Sequence, residues 1–315
     1  MAAVCATAVF ISDRLRGGWV TMRSKAPHRW HESLIELMLL FAGLASSLVV
    51  AAIFVFLIYF TMPIITQGEL LKLMSSDWRP LAGEFGILPI IVGSLCLGTS
   101  AILVAYPLGV GICCFAHSLG PRPLARLVMA IIDFMTSVPT VVYGFVSAFL
   151  LVPVIRQCFQ HGTGFSWLAA SVTLTVLVLP TVVLLIHTQL QQINPQMELT
   201  ATALGMSKGQ TLMWVILPQA SRGLVAAGVL GFSRALGDTI ISLMLAGNAA
   251  QFPHSLLDSI RTLTAHIALV VATDIHSSAY HSLFLAGLIL LTIAALVNIS
   301  IRWKMPGEFT SAMLL

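Results

Sequence analysis

The chain has 315 residues, of which 58% are hydrophobic and only 9% charged, and its formal net charge is +4. A water-soluble domain of this length needs about a quarter of its residues charged, so a mean hydropathy of +0.96 excludes one. The positive charge is scattered rather than gathered into one patch, which argues against nucleic acid as a partner and leaves membrane lipid as the natural surroundings of the chain.

A spanning helix takes about twenty mostly apolar residues. Residues 1–32 precede the first such stretch and read as a cytoplasmic tail, or as sequence ahead of a start at Met22. The apolar run of residues 1–11 comes before the basic residues, the reverse of the order in a secretory signal. Six spans are then expected: about Ser33–Met62, Phe85–Phe115, Leu124–Val154, Phe165–Ile186, Gly223–Ala246 and His281–Ile301. The third is interrupted by Asp133, Pro139 and Gly144, and residues 305–315 form a second tail.

Basic residues are retained on the cytoplasmic side. With the N-terminus inside, the inner segments hold Arg14, Arg16, Arg23, Lys25, Arg29, Arg122, Arg126, Lys208, Arg222, Arg302 and Lys304. The outer loops hold only Lys72, Arg79, Arg156 and Arg261, and Arg234 is left inside a span. Both termini are therefore placed in the cytoplasm. Two outer loops, about Pro63–Glu84 and Asn248–Tyr280, are long enough to be functional; in the second, Ser255–Ile260 and Thr262–Val271 read as short amphipathic pieces at the outer surface.

The cytoplasmic segment of about residues 189–222 is too polar and too long for a simple turn. Glu198, Ala201 and Ala203 belong to a short helix that Gly205 can end with a positive φ. A second helix over Thr211–Leu217 is broken by Pro218 before the membrane. A helix–glycine–helix hairpin on this face is either a docking surface or an ordinary interfacial loop.

In the fifth span, Gly223, Ala227, Gly231, Arg234, Asp238 and Ser242 recur at helical spacing and fall on one face. Small residues allow close helix approach, and an arginine inside a span usually faces a bundle interior or a water-filled path. Arg234 either pairs with Asp238 or Asp133 to hold the bundle, or offers its planar fork to an oxyanion. The five cysteines form no CxxC pair and read as packing residues; the histidines, His276 and His281 included, lack metal-ligand spacing. No metal or other cofactor is implied. The chain has no GxxxxGK[ST] loop and no nucleophile–base arrangement, so it is not expected to be an enzyme.

The spacing of Gly205, Val215, Leu217 and Pro218 resembles the "EAA" coupling motif of ABC importer permeases, whose short helix fits a cleft on the ATPase subunit. One departure is that the family's glutamate position holds Leu199 here, with Glu198 one residue earlier. The stretch GFSRALGDTIISLMLAGN (Gly231–Asn248) resembles the RALGET-containing helix of phosphate-importer permeases, and SVPTVVYGF (Ser137–Phe145) their SVPSVVYG segment. Asp133 and Asp238 stand where those proteins carry the longer glutamate. Trp78–Pro80 followed by FGILPIIVGS, and RTLTAHIAL (Arg261–Leu269), resemble the PstC-like rather than the PstA-like member of the pair.

The resemblance implies an all-α type I ABC importer permease with six transmembrane helices over residues 33–304, in the inner membrane. It implies as partners a homologous second permease, two cytoplasmic ATP-binding subunits and an extracytoplasmic phosphate-binding protein. It further implies a pathway at Arg234, Asp238 and Asp133, and ATPase coupling through Glu198, Ala201, Ala203, Gly205, Leu217 and Pro218. Another oxyanion, or proton-coupled carriage by the two aspartates, are the alternative readings.

Overall fold

The computed structural model describes residues 29–66, 75, 78–79, 84–159, 162–271 and 278–304. His276, Cys5, residues 1–28 of the first expected tail and residues 305–315 of the second lie outside them, while residues 29–32, expected in the first tail, are helical. By contact the chain divides into two units, residues 64–301 and residues 1–63 with 302–315. The smaller unit carries α1 (Arg29–Thr66), whose stretch Leu37–Met62 is only 6% buried. It is apolar all round and has no amphipathic stripe, the pattern of a membrane span.

Among its described residues the larger unit has helices and one short antiparallel pair, β1 (Trp78–Arg79) with β2 (Glu84–Phe85). α2 (Leu88–Cys114) runs into a π-turn over Phe115–Leu119. There follow α3 (Arg122–Ser137), α4 (Thr140–Phe159) and α5 (Trp167–Gln191). The short α6 (Pro195–Ala203) and α7 (Lys208–Thr211) precede α8 (Leu217–Gly237) and α9 (Ile240–Leu245). α10 (Leu263–Val271) and α11 (Ser278–Lys304) complete it. Among the described residues six helices are long and apolar enough to cross a membrane, as expected from the sequence.

Three expected boundaries are corrected. The third span does not begin near Leu124, because the chain breaks at Val138 (φ −77, ψ 125). Pro139 drives the residue before it out of the helical region. α3 is thereby a separate amphipathic helix, of the composition of an interfacial segment, and Thr140–Phe159 is the span. Pro218 does not break its helix either. A π-turn over Leu212–Ile216 carries α7 into α8, the Leu217 amide donating to Leu212 O, and Pro218 falls at the first turn of α8, where no helical N–H is missed. The fifth span ends as a regular helix at Gly237 rather than running on to Ala246.

α5 is the axis of the bundle, with 67% of its membrane stretch buried. α2 and α8 pack on it, and small residues decide how closely. A Cβ at Gly231 would stand 2.7 Å from Val182 and 2.8 Å from Ile102, and one at Gly223 would run into the Gln189 side chain. Cys113 is buried and donates its thiol to Val183 O at 3.2 Å, as a packing residue.

The outer segment after α9 departs from expectation. Ser255–Ile260 is a turn, not an amphipathic helix: the Asp258 carboxylate accepts from the amides of His254 and Ser255, both at 2.8 Å. α10 is helical as expected but is inserted rather than laid on the surface, with Leu263, Thr264, Ala265, His266 and Val270 buried. Its Leu263 joins Ile87, Ile90, Leu285 and Ala286 in a second apolar cluster. Ser94 Oγ accepts from the Leu263 amide at 2.7 Å.

His266 is fully buried, with Nε2 3.0 Å from Ser282 Oγ and its ring edge-on to Trp78 at 4.7 Å. Its Nδ1 has no partner among the described residues. Burial, and secondly the nearby Arg261 cation, push its pKa from 6.5 down to about 3. Burial likewise pushes Arg261 down.

Gly231→Val is expected to lose about 1–3 kcal/mol through overpacking against α5 and α2, whereas Gly111→Ala, with nothing within 4 Å of its Cβ, should unfold at the wild-type temperature in detergent; equal melting of the two variants would count against the packing. His266 stays neutral in the fold while the unfolded imidazole takes a proton below pH 6.5. Its stability is whole above that pH and is lost as pH falls towards 3, by about 2 kcal/mol at about pH 5. Melting curves across this range should show the loss, and His266→Phe should flatten it.

Candidate functional site

Two regions hold the residues singled out in the sequence. The first is the polar hairpin between α5 and α8. Asn194 caps α6, accepting from the Gln196 amide at 3.0 Å, with Pro195 in the first turn. The helix then ends as the sequence predicts. Gly205 has φ +79, its amide donates to Thr202 O at 3.0 Å, and the Met206 amide donates to Ala201 O at 3.1 Å. This paired closure wants a left-handed residue at the turn, and glycine takes it without strain. Ser207 and Gln210 then form a reciprocal capping box that starts α7.

The hairpin turns its chemistry outward. Ala201 is buried, while Glu198, Ala203, Gly205 and Pro218 are exposed and Leu217 is half-buried. Leu199 and Leu204 are 70% and 77% exposed, and Met213 and Trp214 on the π-turn are 68% and 76% exposed. Large apolar side chains held out by a capped, rigid turn make a surface suited to a partner.

The second region lies at the end of α8. The expected single face does not persist along it. Gly223, Ala227 and Gly231 are buried against the bundle, whereas Arg234 is exposed. It stands in the last turn, about 25 Å along the axis from Leu217 at the rise of an α-helix. No ion pair or side-chain hydrogen bond is formed by Arg234 among the described residues.

Asp238 is not the i+4 partner of a continuous helix, because the helix stops before it with Asp238 at φ −75, ψ 120. Its Oδ1 instead accepts from the Ile241 amide at 2.8 Å and caps α9. Asp133 is exposed on α3 and lies in electrostatic reach of His187 on α5, not in contact with Arg234. The structure therefore brings Arg234 and Asp238 to one helix break and leaves Asp133 on another helix. The Gly237–Asp238 pair, a helix-stop residue followed by an N-cap residue, was the local signal for that break.

The backbone oxygen of Asp238 draws in side chains that the periodicity did not single out for it. Ser242 Oγ and Thr264 Oγ1 each lie 3.1 Å from it, and Ser242 Oγ also lies 3.0 Å from Thr239 O. Farther out, Arg261 Nε donates to Asn248 O at 2.8 Å, and its guanidinium carbon lies 6.0 Å from the Trp78 ring centre. Among the described residues no group of His, Cys, Asp and Glu could hold a metal ion.

The family model described as "Binding-protein-dependent transport system inner membrane component" matches residues 107–306. A "Probable ABC transporter permease protein YqgH" of Bacillus subtilis is 32% identical over 234 residues, 73% of this chain and 76% of that one. A "Phosphate transport system permease protein PstC" of Mesorhizobium japonicum is 27% identical over 74% of this chain and 77% of its own. The PstC of Haemophilus influenzae is 26% identical over 87% and 92%.

Among solved structures, the inward-facing MetNI methionine ABC transporter is similar at TM-score 0.54 and 19% identity, over 72% of this chain and 95% of that one. A bacterial ABC transporter that imports the acidic polysaccharide alginate is similar at TM-score 0.56 and 14% identity, over 89% and 100%. These two likenesses carry the fold of ABC importer permeases. The match from the α2 span to the end of α11 places this chain in the family of binding-protein-dependent transport system inner membrane components, as a multi-pass inner-membrane permease subunit of an ABC importer that works with ATP-binding subunits and a substrate-binding protein.

Proposed function

We propose that the chain forms the translocation pathway for inorganic phosphate, as the PstC-type member of a pair of homologous permeases. The observation that carries this reading is Arg234: an exposed arginine without an ion-pair partner among the described residues, at a helix break in a span with few other charges. Its planar fork suits the oxygens of a tetrahedral oxyanion and stays charged at any working pH. The relatives titled as phosphate permeases support the same substrate.

In this reading the second permease faces Arg234 across the pathway, and the phosphate-binding protein delivers its anion to the outer loops. Two ATP-binding subunits grip the exposed hairpin at Glu198, Ala203 and Gly205, with Ala201, Leu217 and Pro218 fixing its shape. Their closure is carried along α8 to Arg234. The anion site is weak, because a tight one would hold phosphate in mid-path, and selectivity resides mainly in the binding protein. Asp238 fixes the break beyond Arg234, and Asp133 contributes to the pathway from α3.

Radiolabelled phosphate uptake by vesicles holding the chain with its partner subunits tests both halves. Gly205→Asp puts a side chain where φ is +79 and should abolish ATP-dependent uptake while the complex still assembles. Arg234→Ala should lower uptake by about tenfold or more, the loss of a charged hydrogen bond. Uptake that persists without ATP would point to a gradient-driven carrier, and wild-type uptake by Arg234→Ala would remove the arginine from the pathway.

A further inference from the structure

We propose that Thr264, on the outer helix α10, is a positioning residue for the Arg234 site, acting through the backbone carbonyl of Asp238; this rests on the pathway reading of Arg234. The end of α8 creates the need. A helix terminus leaves its last carbonyls without internal donors, and inside a membrane each such group must find one within the protein.

The hydrogens can be assigned one by one. Thr262 Oγ1 accepts from the Ala265 amide at 3.2 Å and lies 3.0 Å from Thr264 Oγ1. Thr264 Oγ1 lies 3.1 Å from Asp238 O, a group that can only accept. Each hydroxyl has a single hydrogen, so Thr264 donates to Asp238 O and receives from Thr262. Ser242, 3.4 Å from Thr264 Oγ1, is then left to donate to Thr239 O at 3.0 Å or to share Asp238 O. The result is a directed chain from the start of α10 to the break that follows Arg234. All three hydroxyls are buried, with Thr262 3%, Thr264 6% and Ser242 1% exposed.

α10 also has anchors of its own outside this chain. The Leu263 amide is anchored on Ser94 and its side chain in the second apolar cluster, and neither touches Asp238. A purely structural role would therefore be shared by Ser94 and Thr264 alike. The positioning role falls to Thr264, which among the described residues is the one in the outer segment that is hydrogen-bonded to the break. By fixing ψ of Asp238, Thr264 sets where α8 stops and so how Arg234 is presented.

The test is phosphate uptake by the assembled transporter in proteoliposomes, comparing Thr264→Val, Thr264→Ser, Ser94→Ala and Arg234→Lys, with Thr264→Val also built on Arg234→Lys. Thr264→Val keeps the shape and removes the donor, and should lower the maximal rate by about three- to tenfold, the factor one neutral hydrogen bond carries. Thr264→Ser should restore it and Ser94→Ala should leave it near wild type. On the Arg234→Lys background Thr264→Val should add little, because residues acting through one site are not additive. Full additivity, an equal loss in Ser94→Ala, or wild-type uptake by Thr264→Val would overturn the positioning role. Wild-type uptake by Arg234→Lys would instead overturn the pathway reading beneath it. If Thr264→Val does not assemble, Ser242→Ala, which thins the donors at the same break from within α9, is read by the same criteria.

Discussion

The structure depends on one constraint: a backbone opened inside a membrane must be paired again by the protein itself. Between Gly237 and Ile240 the helical ladder stops, and the freed groups are taken up locally. The Asp238 carboxylate accepts the Ile241 amide, and Ser242 and Thr264 reach the carbonyls of residues 238 and 239. α10 is anchored in the bundle through Leu263 by contacts of its own. Seated there, it supplies a hydroxyl to a carbonyl that the span leaves open.

The same constraint explains the placement of charge. An arginine in a spanning helix carries an insertion cost, about 2.5–3.5 kcal/mol at the centre and less in a last turn such as that of α8, and a carboxylate within contact would offset part of it. Asp238 is near in sequence, yet its carboxylate is committed to capping α9. The arginine lies in electrostatic reach of Asp238 but forms no contact ion pair with it among the described residues, which leaves its fork open to meet an anion. Small residues in the earlier turns of α8 do the packing, so Arg234 in the last turn is spared that task.

Much of this was legible in the residues. Six spans followed from runs of apolar side chains, and the Gly205 turn from a glycine placed after a short helix, because both signals are local. The errors arose where two local signals competed. At Val138–Pro139 continuous hydrophobicity outweighed the proline, so an amphipathic helix carrying Asp133 was folded into the third span. At Pro218 the proline was given too much weight, since a π-turn supplied a register shift that side-chain periodicity does not encode. At Gly237–Asp238 the four-residue spacing of small and polar residues continued through a stop signal. The role of Thr264 was hidden for another reason: its partner is a backbone carbonyl more than twenty residues away, and no spacing rule reports such a contact.

The two candidate regions are two ends of one element. From Lys208 the chain runs helically through the π-turn and α8 to Gly237. A helix is stiff along its axis, and this one is packed along its length on α5 through glycines that leave little play. Displacement imposed at the hairpin therefore has few places to be absorbed before the break at Asp238. There the regular ladder ends, and three hydroxyls tie the backbone to the outer segment. On the proposed function, the inner surface that meets the ATP-binding subunits and the outer segment that meets the binding protein converge on the same four residues, Arg234 to Gly237, from opposite sides. Placing Arg234 at that junction makes its orientation sensitive to both.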